Sequence, residues 1–300
     1  MASAQPEVVR LPLPVDQLGW RRPGWLGARL ARRPDAVLGT ALLVAIAAGA
    51  LSAPLIAPAD PLRQSSAQAL YPPSWQHPFG TDQFGRDILS RTIYGARISL
   101  PAGLASVGIA ALTGTLLGLV AGYFPGWTRS IIMRLTDVLM AFPFMLLALA
   151  IGAMLGRDPK NLVLAVAIAF LPQYIRVVQA ATSQVAHMEY VVAAQLIGAG
   201  HGRILFSHIL PNVSAPVVVL AAQGVALAIL TETALSFLGL GPAPPTPEWG
   251  IMLAEGRSYL HDAWWIATFP GLAIAVTVLA VNLVGDALRD ALDPRLRTWT

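Results

Sequence analysis

The side chains that could carry out chemistry in this 300-residue chain are few and widely separated. The histidines His201 and His208 lie about two helical turns apart and could share one helix face, but no carboxylate or thiol completes a metal site with them. The chain has no cysteine, no H-E-x-x-H sequence and no Ser–His–Asp grouping. We therefore predict no catalytic group and no metal site, and we interpret the five histidines as interfacial polar residues.

The sequence also lacks a nucleotide-binding loop. A P-loop needs the pattern G-x-x-x-x-G-K-[ST], and the chain's only lysine, Lys160, lies outside any glycine-rich loop. The chain is therefore not expected to bind ATP in the P-loop manner, and an enzymatic function has little support.

Two charged side chains interrupt long apolar segments. Arg176 and Glu232 each lie within a run of membrane-spanning length, where a charge is costly unless it is paired or hydrated. Both are candidates for a pathway or gating role. Two alternatives remain open: Arg176 could extend to the cytoplasmic interface, and Glu232 could lie at a helix end. Asp137 lies one turn from Arg134, so we expect those two charges to neutralise each other.

The composition indicates a membrane protein. Hydrophobic residues make up 55% of the chain and charged residues 12%, with a mean hydropathy of +0.61, whereas a soluble domain carries roughly a quarter charged residues. The basic pI of about 9.8 does not indicate nucleic-acid binding, because the arginines are dispersed at the ends of apolar runs.

Apolar periodicity predicts an all-α polytopic fold with six transmembrane helices. The predicted spans are 36–57, 98–123, 131–155, 162–181, 213–240 and 264–288. The predicted divisions are a cytoplasmic segment 1–35, the first helix 36–57, an extracytoplasmic loop 58–97, a five-helix core 98–288 and a cytoplasmic tail 289–300. Gly114, Gly118 and Gly122 recur every four residues and predict a close helix contact. In the first loop, Asp82 and Asp87 are interpreted as turn and helix caps.

A polar stretch at 186–212 separates two apolar runs. It contains two amphipathic pieces, 189–197 and 202–209, joined at the glycine-bearing hinge 198–200 and stopped by Pro211. This pattern predicts a short helix–turn–helix that protrudes from the membrane and is held by a partner. Most lysine and arginine residues fall on one side of the predicted topology, which places this stretch and both termini in the cytoplasm.

The same stretch resembles the EAA loop of the inner-membrane permease subunits of ABC importers, in their dipeptide, oligopeptide and nickel class. Ala193, Ala194 and Gly198 fit that pattern, as do Leu210 and Pro211. Val192 stands where the pattern has glutamate, and His208 stands where it has isoleucine. The resemblance continues through 77–100, 234–253 and 270–295, and the C subunits of dipeptide permeases are the most similar.

This resemblance implies a heteromeric ATP-driven importer of the inner membrane. The chain would pair with a homologous second permease subunit, two ABC ATPase subunits that hold ATP and Mg²⁺, and an extracytoplasmic peptide-binding protein. The resemblance implies that segment 186–212 couples the chain to the ATPases through Glu189, Tyr190, Ala193, Ala194, Gly198, Ala199, Gly200, Ile209, Leu210, Pro211 and Asn212. The alternatives are a nickel or other small-solute permease of this class, a secondary transporter, and a membrane scaffold without transport activity.

Overall fold

The computed structural model describes residues 27, 30, 31 and 33–292, and this part of the chain folds into helices joined by loops. We number the helices in chain order. They are α1 (Pro34–Leu51), α2 (Ala53–Ile56), α3 (Ile88–Tyr123), α4 (Trp127–Met140), α5 (Phe144–Leu155), α6 (Pro159–Ala186), α7 (Glu189–Leu196), α8 (His201–Phe237), α9 (Trp249–Gly256) and α10 (Trp265–Leu292). Short 3₁₀ turns lie at Ser66–Gln68 and Arg257–Tyr259.

Five of these helices, α1, α3, α6, α8 and α10, are long and apolar enough to cross a membrane. The pair α4 and α5 meets this criterion only jointly, and the two helices are bent by 95°. The described chain therefore has five spans, or six if the bent pair counts as one. The all-α polytopic prediction is confirmed.

The predicted third span at 131–155 is not one continuous helix. The helix ends at Met140 and a new one starts at Phe144, because Pro143 adopts an extended conformation with φ −55° and ψ 130°. A proline has no N–H to donate, and it biases the preceding residue away from helical angles. The chain consequently turns sharply at a point where hydropathy alone shows an unbroken apolar run.

The helix at the second span begins at Ile88, so the last part of the predicted extracytoplasmic segment 58–97 is helical. The Asp87 side chain caps this helix by accepting the Ser90 backbone N–H at 2.7 Å, as predicted. The first turns of α3 are polar, and Arg91 and Thr92 are buried against protein rather than lipid. A hydropathy window cannot detect such turns. Helix α10 also continues through Leu292, so the predicted tail begins later than 289, and residues 293–300 lie outside the described part.

The glycine face of α3 forms the closest helix contact, as its spacing predicts. A Cβ atom added at Gly118 would lie 2.6 Å from the Val178 Cβ, and one at Gly114 would lie 2.4 Å from the Tyr174 Cβ. Side chains at these positions would separate α3 from α6 by more than their packing allows. The pair α3–α6 is the framework on which the remaining helices assemble.

Helices α1 and α10 pack together at the ends of the described chain. Gly39 allows α1 to approach the backbone of α10 at Ala280. Arg33, at the start of α1, donates to Asp290 near the end of α10 at 2.5 Å. The first helix therefore starts on the same side of the protein as the last helix ends.

A buried ion-pair network joins the loop before α3, the first turn of α3 and α9. Arg86 donates to Asp82 at 2.5 Å, and Arg86 and Arg91 each donate to Glu255 at 3.0 Å, which ties the first loop to α9. Asp82 thus pairs with an arginine in addition to accepting backbone N–H groups from Phe84 and Arg86. Removing one partner of such a buried set leaves an unpaired charge and lowers the free energy of unfolding by about 3–5 kcal/mol.

Candidate functional site

Within segment 186–212, helix α7 ends in a tight turn at Gly198 and Ala199. Gly198 has φ +83° and donates to the Gln195 carbonyl, while Ala199 donates to the Ala194 carbonyl at 3.0 Å. These two bonds form a Schellman motif, in which a residue with positive φ ends a helix and satisfies its last carbonyl groups. The predicted hinge is thus a fixed turn whose geometry depends on Gly198. Gly200 has φ −66°, which any residue can adopt.

The inner face of the segment packs into the protein. Val191, Ile204 and Ile209 are completely buried, in a cluster that includes Leu119 from α3 and Val178 from α6. This cluster joins the segment to the pair α3–α6. An apolar interior of this kind makes the segment a rigid element rather than a mobile loop.

The prediction that Pro211 stops the second piece is wrong. Helix α8 starts at His201, widens into a π-helical turn at Ile204–Ile209, and continues through Pro211 to Phe237. Proline is tolerated in the first turn after such a break, where no helical N–H is needed, and π-turns accommodate interruptions of the hydrogen-bond ladder. The segment is therefore continuous with a membrane-spanning helix.

Polar contacts tie α7 to the start of α8. Asn212 donates to the Tyr190 hydroxyl at 3.0 Å and to the His208 carbonyl at 2.6 Å. Burial raises the pKa of the Tyr190 hydroxyl, which stays neutral as an acceptor. His201 Nδ1 lies 2.9 Å from the Tyr123 hydroxyl at the end of α3. His201 therefore contacts α3 through its ring, whereas His208 takes part in these contacts through its backbone carbonyl.

The outer tip of the segment is apolar and uncovered. Leu196 is 82% exposed and Ile197 is 86% exposed, although both lie in a connection between two membrane-spanning helices. Sequence reasoning missed this pair, and the available signal was two aliphatic residues directly before the hinge glycine. Adjacent large apolar side chains exposed on a rigid element are typical of a protein-interaction site.

The structure divides the predicted coupling residues between the two faces of the segment. Ala194 and Ile209 are buried and hold the segment, whereas Glu189, Tyr190 and Ala193 are exposed at its surface. The other predicted residues lie at the turn and the start of α8, namely Gly198, Ala199, Gly200, Leu210, Pro211 and Asn212. Val192, at the position of the family glutamate, is 40% exposed and lies one turn from Glu189 on α7.

Arg176 pairs across helices. It donates to Asp137 of α4, so the expected neutralisation of Asp137 by Arg134 is wrong. Sequence spacing reveals neighbours within a helix only, whereas this contact joins α6 to α4. Both side chains remain about half exposed, at 49% for Arg176 and 58% for Asp137.

Glu232 lies inside the helix bundle. It is 4% exposed, and the Ser106 hydroxyl donates to one of its carboxyl oxygens at 2.5 Å. A small cavity lined by Glu232 and Glu248 lies between α3 and α8. Glu248 caps α9 by accepting the Gly250 and Ile251 backbone N–H groups, and burial raises its pKa. The pathway role of Glu232 stays a prediction, and its enclosure favours a structural role.

These features define a class of protein: a polytopic helical membrane protein in which a packed loop between two spans exposes two adjacent apolar side chains. Two family profiles match the chain. Residues 114–298 match the binding-protein-dependent transport system inner membrane component, and residues 20–73 match the N-terminal transmembrane domain of oligopeptide transport permease C. The chain belongs to this family of inner-membrane transport permeases.

Relatives of known name cover nearly the whole chain. The di/tripeptide transport system permease protein of Pseudomonas aeruginosa is 48% identical over 89% of this chain and 90% of its own length. The dipeptide transport system permease protein of Alkalihalophilus pseudofirmus is 42% identical over 96% of this chain and 95% of its own length. A glutathione transport system permease protein of Pectobacterium atrosepticum is 50% identical, over 75% of each chain. The predicted family is confirmed.

Proposed function

We propose that this chain is a transmembrane subunit of an ATP-driven importer that moves dipeptides or other short peptides across the inner membrane. Support for the substrate comes from relatives named as dipeptide, di/tripeptide and glutathione permeases. Their substrates share a short peptide backbone with charged ends. A nickel or other small-solute permease of the same class is the second candidate, and the names of these relatives favour peptides.

The single observation that carries the coupling proposal is the exposed tip Leu196–Ile197 on a rigid segment. ATP hydrolysis belongs to separate ATPase subunits, which hold ATP and Mg²⁺, because the chain has no P-loop. One ATPase contacts the tip, and its movement on ATP binding displaces the segment. The cluster around Val191 and Ile209 passes this displacement to α3 and α6, which reorients the pathway as a rigid-body switch.

The proposed assembly places both termini and segment 186–212 in the cytoplasm. The contact between Arg33 and Asp290 supports a common side for the two termini. Arg203 is exposed within the segment, and Arg129 and Arg134 are exposed on α4, which follows the end of α3 where Tyr123 contacts His201. This distribution agrees with the positive-inside rule for a cytoplasmic face. The remaining partners are a homologous second permease, two ATPases and an extracytoplasmic peptide-binding protein that sets substrate selectivity.

Uptake of defined substrates tests this function. In cells with no other dipeptide importer, we expect removal of this chain to lower ATP-dependent uptake of radiolabelled dipeptides about 100-fold. Restoring the chain is expected to restore uptake. Nickel uptake, measured in the same cells, distinguishes a nickel permease from a peptide permease. An unchanged dipeptide uptake after removal and restoration would contradict the peptide proposal.

A further inference from the structure

The C-terminal half of α6 carries an exposed polar stripe. Gln173, Arg176, Gln184 and His187 are all exposed, with exposed Ala180 between them. Their spacings of three and four residues place them on one helix face. At 1.5 Å per residue, Gln173 lies about 20 Å before the end of α6, and Arg176 lies about 15 Å before it. The predicted span 162–181 contains Gln173 and Arg176, roughly 12 Å and 8 Å from its end, so this part of the stripe lies within a run of membrane-spanning length, whereas Gln184 and His187 follow that run.

Helix α3 shows what an exposed face of this protein looks like when it meets an apolar environment. Its exposed residues Leu104, Ile109 and Leu112 are apolar, and Leu116 continues the same surface. Its exposed hydroxyl, at Thr113, donates to the Ile109 carbonyl of its own helix at 2.6 Å. The polar stripe of α6 differs from this surface in composition.

A stripe of amides and a guanidinium would be costly to place against lipid tails. The charge of Arg176 is paired with Asp137, but both groups stay about half exposed, so neither is enclosed by this chain. Polar residues in spans usually face the bundle interior or a water-filled cavity. Since this stripe faces outward from the chain's own bundle, we expect a water-filled space on that side within the assembled transporter.

We propose that the stripe at Gln173, Arg176 and Gln184 lines the aqueous peptide pathway, and that the Arg176–Asp137 pair is a transient site for the charged ends of a zwitterionic peptide. The peptide carboxylate binds Arg176 and its ammonium group binds Asp137. This inference rests on the proposed transport function and adds the residues that contact the substrate.

The energetics of such a site suit transport. An exposed ion pair contributes only about 0–1 kcal/mol, so exchanging it for two ion pairs with a peptide changes the free energy little in either direction. A pathway must bind its substrate strongly enough to admit it and weakly enough to release it. Because the two protein charges neutralise each other when no peptide is present, the empty pathway carries no unpaired charge at this site.

Cysteine accessibility tests the pathway face directly, because the chain has no native cysteine. Gln173→Cys and Gln184→Cys are made in the complete transporter, in inside-out vesicles, and treated with a charged, membrane-impermeant thiosulfonate. The matched control is Leu112→Cys on the apolar face of α3. Labelling is measured on this chain after its separation from the partner subunits. The parent chain has no cysteine and therefore gives no background signal. We expect both probe positions to label at least about 10-fold faster than the control.

Protection by substrate tests the peptide site. A millimolar zwitterionic dipeptide is expected to slow the labelling of Gln173→Cys at least about 3-fold, whereas the same dipeptide with acetylated and amidated ends is not. Equal protection by both peptides, or none by either, would overturn the site for charged ends. If Gln173→Cys and Gln184→Cys label as slowly as Leu112→Cys, the proposal that this stripe lines the pathway is contradicted. If the parent transporter itself imports no dipeptide, the proposed function fails instead.

Discussion

Replacing both Leu196 and Ile197 by aspartate is expected to abolish ATP-driven peptide uptake while the chain still inserts into the membrane. Each side chain is more than four-fifths exposed at the tip of segment 186–212, so neither supports the fold of the free chain. Burying a leucine or isoleucine in an interface stabilises it by about 1.5–3 kcal/mol, and burying an unpaired carboxylate costs more. We expect the affinity for the ATPase subunits to fall at least about 100-fold.

Co-purification of the ATPase subunits from detergent measures this loss, alongside uptake by vesicles. The control is Trp75→Asp, because Trp75 is a fully exposed apolar residue in the first loop, on the opposite side of the proposed topology. That variant is expected to retain its ATPases. A double aspartate variant that retained the ATPases as well as Trp75→Asp does would contradict the docking role of the tip.

Gly118→Leu is expected to prevent the folded chain from accumulating. Even the Cβ of an alanine at Gly118 would lie 2.6 Å from the Val178 Cβ and 2.9 Å from the Ile175 carbonyl oxygen. Overpacking of this kind typically costs about 1–3 kcal/mol, and a leucine would force α3 and α6 apart. Since this pair also supports segment 186–212, its separation would remove the frame of the functional site.

The matched control lies on the same helix. Gly108 has no neighbouring atom within 4 Å of where its Cβ would be, so Gly108→Leu is expected to accumulate and to melt close to the parent temperature. Both variants are compared by size-exclusion chromatography in detergent and by thermal unfolding. A Gly118→Leu protein as stable as Gly108→Leu would show that close α3–α6 packing is not required.

Local chemistry and apolar periodicity predicted the features that depend on neighbours in sequence. The capping role of Asp87, the small-residue contact at Gly114, Gly118 and Gly122, and the hinge at Gly198 all appear in the structure. Each follows from a property of one residue type: a short acceptor before a helix, a missing side chain, or access to positive φ.

Prolines were harder to interpret, because the same residue has opposite effects in this chain. Pro101, Pro172 and Pro270 lie inside helices, whereas Pro143 separates two. Neighbouring helices and local adjustments can satisfy the carbonyl groups that a proline frees in a membrane helix. The outcome therefore depends on tertiary packing around each site, which sequence spacing does not contain. The continuation of α8 through Pro211 has the same origin.

Charge pairing was also only partly predictable. From the sequence, Asp137 was expected to pair with Arg134, one turn away on the same helix, whereas in the structure it pairs with Arg176 of another helix. Likewise Arg91 is buried and bound to Glu255 of α9, a contact between residues far apart in the sequence that spacing does not reveal.

The most direct test of the coupling account is ATP-driven peptide uptake by the reconstituted transporter carrying Gly198→Pro. Proline cannot adopt φ +83° and would remove the N–H that bonds the Gln195 carbonyl, so the Schellman turn is lost. Gly202→Ala is the control, because Gly202 lies in the first helical turn of α8 with free space around the position of its Cβ. We predict that Gly198→Pro abolishes uptake while ATP hydrolysis continues uncoupled from transport, and that Gly202→Ala transports normally. Wild-type uptake by Gly198→Pro would contradict the claim that segment 186–212 transmits the ATPase movement.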